Sequence, residues 1–81
     1  MQITVRLFAV LRDVLNADVV TWHLREPVQL KELYDQISEK HPALSPHRNF
    51  VRFALNESWA SPDSKVQNGD EVAFLPPISG G

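Results

Sequence analysis

The chain has no cysteine, one methionine and only three glycines, two of which are its last two residues. Without thiols there is no disulfide framework, no thiolate zinc site and no cysteine nucleophile, and the absence fits a reducing, cytoplasmic address. An excess of basic charge is also missing. Eight Lys and Arg face ten Asp and Glu, a formal net charge of −2, which argues against a nucleic-acid binder. The longest unbroken apolar run, Leu7 to Leu11, is too short to span a bilayer or to form a signal-peptide core. Gly69 is the only interior glycine, so neither a dinucleotide fingerprint nor a P-loop is present. His23, His41 and His47 lack metal-ligand spacing, and no G-x-S-x-G frames Ser79, so neither a metal site nor a self-contained active site is expected. What remains is 81 residues, 43% hydrophobic and 22% charged, enough for one small globular domain with a thin core.

Alternation and helical spacing divide that domain into elements. Residues 2–8 read as a strand with Ile3, Val5 and Leu7 on one face and Thr4, Arg6 and Phe8 on the other. Val10, Leu11, Val14 and Leu15 predict a two-turn helix ending near Asn16. Asp18 to Leu24 alternates again and predicts a second strand antiparallel to the first. Leu30, Leu33, Tyr34, Ile37 and His41 form a single stripe, predicting the main helix over residues 28–40, entered at Pro27 and without a capping side chain. The prolines of residues 41–49 predict a loop. Phe50–Leu55 and Ser58–Ser61 read as strands around a tight Asn56–Glu57 turn, and Glu71–Leu75 as the last strand after a turn at Gly69. The order β-(short α)-β-α-β-β-β predicts an α+β domain, with one main helix over one sheet. Residues 1–75 form the domain and residues 76–81 an extended tail.

That tail, Pro76-Pro77-Ile78-Ser79-Gly80-Gly81, carries the chemistry. Two prolines favour an extended conformation with few states to lose on binding. Six extended residues reach at most about 20 Å beyond the fold. Gly80 and Gly81 have no side chains and can enter a narrow cleft, where the carboxylate of Gly81 is exposed to attack once activated. Activation, as transfer to AMP, has to come from a partner enzyme. Alternatively the residues are a frayed chain end. The face assignments add a second feature. Phe8 and Leu75 both fall on the face opposite the core, so neighbouring first and last strands would set them side by side at the root of the tail, with Trp59 extending the patch. Alternatively Phe8 packs under the short helix and Trp59 under the loop before Gly69. Glu57, Asp63, Asp70 and Glu71 against Lys65 alone give residues 57–81 a charge of −3, which suits a basic docking partner or simply solubility.

The segment NGDEVAFLPPISGG, Asn68–Gly81, resembles the C-terminus of the sulfur-carrier subunits of molybdopterin synthase, and the opening VRLFAVLRDVL resembles their first strand and helix. The Leu-rich helix near residue 30, the Ala54-Leu55-Asn56 run and the length are similar too, so the resemblance covers essentially the whole chain. It implies a β-grasp, ubiquitin-like fold and a non-catalytic carrier within an enzyme complex. It further implies that an activating enzyme of the E1 type, using ATP and magnesium, adenylates Gly81, and that a sulfur donor system converts it to a thiocarboxylate. The tail would then enter the large subunit of the synthase and give its sulfur to cyclic pyranopterin monophosphate, forming the dithiolene of molybdopterin. Two carriers on a dimer of large subunits would make a heterotetramer. Gly81 then corresponds to the acyl carrier, Gly80 to the slim lead-in, and Phe8, Trp59, Leu75, Pro76, Pro77 and Ile78 to partner contacts. Trp59 departs from the smaller aliphatic residue more usual at its position. Rival readings are a sulfur carrier for thiazole or thionucleoside synthesis, a modifier ligated to lysines through Gly81, and a plain interaction module.

Overall fold

A computed structural model describes residues 1–77. Its elements, in chain order, are β1 (Gln2–Leu7), α1 (Ala9–Leu15), β2 (Val19–His23), β3 (Val28–Gln29), α2 (Leu30–Lys40), a 3₁₀ segment (Pro42–His47), β4 (Arg52–Leu55), β5 (Ser58–Ala60), β6 (Lys65–Val66) and β7 (Glu71–Leu75). The main sheet runs β2-β1-β7-β4-β5, and β3 pairs with β6 in a separate two-stranded ladder. β1 and β7 are parallel, with Val5 beside Val72 and Leu7 beside Phe74; β2 and β4 flank them antiparallel. This is the α+β, β-grasp arrangement that the sequence led us to expect.

Period-two alternation sends Ile3, Val5, Leu7, Val72, Phe74 and Phe53 to one face of the sheet, and all six are buried. α2 covers that face with Leu30, Leu33, Tyr34 and Ile37. Burial of each such side chain contributes about 1.5–3 kcal/mol. Tyr34 packs its ring 4.8 Å from Phe74, which in turn meets Phe53 edge-on at 5.6 Å. Its hydroxyl donates to the carbonyl of Leu44 at 2.6 Å, and burial pushes the phenol pKa up to about 12.

Several expectations need correction. α2 starts at Leu30, not at residue 28, because Val28 and Gln29 pair with Val66 and Lys65. The chain leading into β6 supplies what the missing cap does not. The N–H of Leu30 donates to Ser64 O at 2.9 Å and that of Lys31 to Pro62 O at 3.0 Å, satisfying two open donors of the first turn. Residues 42–47 are 3₁₀ rather than loop, closing on buried Leu44. Phe50 and Val51 precede β4, and Phe50 is exposed; Ser61 lies outside β5.

Candidate functional site

The sheet face away from α2 has no element over it among the described residues, and its side chains follow from the register. Arg6 pairs with Ala73 across β1 and β7, Ala73 with Ala54 across β7 and β4, and Ala54 with Trp59 across β4 and β5. One step past the Leu7–Phe74 pair come Phe8 and Leu75. Arg6, Phe8, Ala54, Glu57, Trp59, Glu71, Ala73 and Leu75 thus line one open groove of about 450 Å³. Two alanines make its floor because only a short side chain leaves a depression between the larger groups on either side.

Phe8 is 43% exposed and Trp59 70% exposed, whereas Leu75 is half-buried. The alternative that Phe8 packs under α1 and Trp59 under the loop before Gly69 is therefore set aside. Backbone geometry holds both rings outward. Phe8 keeps an extended conformation (φ −128°, ψ 152°), and the chain reverses at Ala9, which takes a left-handed φ of 51°. α1 can then turn back and bury Leu11 while Phe8 stays on the open face. Trp59 is aimed by the two-residue hairpin at Asn56 and Glu57, with φ of 50° and 70°, the mirror-image turn that matches strand twist.

Charge is arranged at one end. Arg6 Nε lies 3.1 Å from Glu71 Oε2, which neutralises the cation inside the groove. Asn56 donates to Asp70 at 3.2 Å and accepts from the Glu71 N–H at 3.0 Å, tying the hairpin to the start of β7. Asp63 pairs with Lys31 at 2.8 Å, away from the groove. The acidic groups nearest the tail in sequence are thus at the opposite end of β7 from it, about 13 Å away at strand rise.

The root of the tail sits at the other end. β7 runs out through Leu75, half-buried Pro76 and exposed Pro77, beside Phe8 and at the end of the sheet where β1 gives way to α1. Phe8, Trp59, Leu75, Pro76 and Pro77 are the proposed partner residues that can be placed. Ile78, Gly80 and Gly81 lie outside the described residues. Arg6, Ala54 and Ala73 were not singled out as site residues from the sequence, and Glu57 entered only as one of the acidic residues of 57–81. Alternation puts Arg6 and Ala73 on the face of Phe8 and Leu75, but only the insertion of β7 between β1 and β4 brings Ala54 and Glu57 to them. No helix of the described residues is long and apolar enough to cross a membrane.

The model of the ThiS family matches residues 5–81. A molybdopterin synthase sulfur carrier subunit from Chlamydomonas reinhardtii is 40% identical over 83 residues, covering 100% of both chains. Among solved structures, SAMP1 from Haloferax volcanii superposes with a TM-score of 0.86 at 26% identity, again over 100% of each chain. A chain from the complex of subunits 1 and 2 of the Helicobacter pylori molybdopterin-converting factor gives a TM-score of 0.69 at 24% identity and full coverage of both, a likeness of fold.

Proposed function

The chain belongs to the ThiS family, and from that premise we propose that it is a sulfur carrier subunit of molybdopterin synthase. The observation that carries this reading is the parallel pairing of β1 with β7, which sets the root of a Pro-Pro-Ile-Ser-Gly-Gly tail beside an open groove flanked by Phe8, Trp59 and Leu75. The 40% identity to a carrier of that name over the whole of both chains supports it. A sulfur carrier needs two things from its own residues: a surface that docks on each partner and a slim arm that reaches a buried site. The groove supplies the first. Pro76 and Pro77 stiffen the base of the arm, and Gly80 and Gly81 present no side chain to a narrow channel.

The carboxylate of Gly81 attacks the α-phosphorus of ATP on an E1-like enzyme that holds the nucleotide and magnesium, releasing pyrophosphate. Sulfur delivered at the sulfide level by a donor system then displaces AMP from the acyl carbon and leaves a thiocarboxylate. Docked on the large subunit, the thiocarboxylate sulfur bonds to cyclic pyranopterin monophosphate, and water cleaves the acyl–sulfur bond so that the carrier leaves as the free acid. Two carriers bound to a dimeric large subunit form a heterotetramer. The carrier itself binds neither metal nor nucleotide.

Intact mass after incubation with the activating enzyme, ATP and a sulfur source tests the reading. A mass gain equal to sulfur replacing oxygen at the C-terminus is expected, followed by its loss when large subunit and pterin precursor are added. A thiocarboxylate that discharges only into thiazole or thionucleoside synthesis selects another carrier pathway. Isopeptide bonds from Gly81 to lysines, with no sulfur gained, select a protein modifier.

A further inference from the structure

We infer that Glu57 reads the charge of the docking partner, meeting a Lys or Arg side chain at the end of the groove remote from the tail. The inference rests on the groove being the docking surface and adds what lies across from it. Of the three charged residues lining the groove, Arg6 and Glu71 neutralise each other at 3.1 Å, whereas Glu57 forms no ion pair among the described residues. Its position is also an unexpected place for a long side chain. Glu57 is the second central residue of a hairpin turn, at a φ of 70° that glycine adopts freely and other residues rarely do. Asn56, the first central residue, suits its own left-handed backbone and bonds Asp70 and the Glu71 N–H, so the turn is held without help from Glu57. The Glu57 side chain makes none of the side-chain hydrogen bonds that stabilise this turn, yet it stands at the lip of an apolar groove with its charge uncompensated. Asp70, bonded to the neighbouring Asn56, adds to the negative potential there, so a cation from outside is what the site favours. The occupant is a protein with an apolar ridge that carries one basic side chain at the end opposite the tail channel.

Association of the intact carrier with the molybdopterin synthase large subunit of the same organism, measured at low and at physiological salt, tests this. Glu57→Lys is expected to lower the association rate about tenfold at low salt, with Glu57→Gln intermediate and both differences shrinking as salt rises. Glu57→Gly should bind like Glu57→Gln while unfolding at a higher temperature, which separates lost binding from lost folding. If Glu57→Lys and Glu57→Gln associate like the parent while Phe8→Ala does not, the docking surface stands and the role of Glu57 is overturned. Faster association of Glu57→Lys overturns it too, since the facing group is then acidic. If Phe8→Ala also binds like the parent, the docking reading itself falls.

Discussion

Phe8 and Phe74 are the same side chain in opposite settings, one step apart across β1 and β7. Phe74 is fully buried between Tyr34 and Phe53, while Phe8 is 43% exposed on the far face. Phe74→Ala is therefore expected to cost about 3–5 kcal/mol of folding free energy. Phe8→Ala should cost under about 1 kcal/mol of stability but about 2 kcal/mol or more of affinity for the large subunit. Thermal unfolding and partner titration of the two variants check this, and equal destabilisation would return Phe8 to the core. Glu57 presents the reverse trade. A non-glycine residue held at left-handed φ costs about 1–2 kcal/mol, so Glu57→Gly is expected to gain roughly 1 kcal/mol, a rise of about 4–8 °C in Tm for a domain this size. A fall in Tm would mean that the side chain stabilises the turn by a contact beyond its charge.

The 3₁₀ segment Pro42–His47 is tied to α2 by side chains. Tyr34 reaches it from α2 through the 2.6 Å bond to Leu44 O, and just past its end Arg48 binds Asp35 with a fork of 2.8 and 3.1 Å. Tyr34→Phe keeps the ring and removes this bond from α2 to the 3₁₀ segment, so a loss of about 0.5–1.5 kcal/mol is expected by chemical denaturation. The guanidinium hydrogen bonds hold the Asp35 carboxyl below the usual range, so its stabilisation is complete above the carboxylate's ordinary pKa near 4 and fades as pH falls through the lowered value. Asp35→Asn should flatten that acid limb of the stability profile. Element by element, long periodic segments were legible: Ile3, Val5 and Leu7 on β1, and Leu30, Leu33, Tyr34 and Ile37 on α2, sit where their spacing put them. The β3–β6 ladder was not legible, because two residues cannot display a period and Val28 reads equally well as a first helical turn. The carbonyls of Pro62 and Ser64, just before β6, also explain why α2 manages without the cap its sequence lacks.

On the scale of the molecule, both halves of the site depend on where β7 lies. The alternation in β1 and β7 was enough to turn Phe8 and Leu75 outward, but nothing local in the sequence says that β7 enters between β1 and β4. That insertion carries Ala54, Glu57 and Trp59 to the same groove and starts the tail at its edge. Under the proposed function this is a division of labour, in which the domain docks and the tail reacts. Among the described residues the buried core ends with Phe74, and Pro77 is already exposed, so changes beyond it should leave stability within about 0.5 kcal/mol of the parent. Adding one residue after Gly81 moves the carboxylate by about 3.5 Å and puts an amide where the acyl group must be activated. Such a protein is expected to fold and bind the large subunit like the parent, yet neither to gain sulfur nor to support pterin conversion. Gly81→Ala, which keeps the carboxylate but adds a Cβ, should dock normally and transfer slowly. Tm, partner affinity and intact mass measured on the same two samples distinguish these outcomes. An extended chain that remains untrimmed and still gains sulfur would show that the reacting group is not the Gly81 carboxylate.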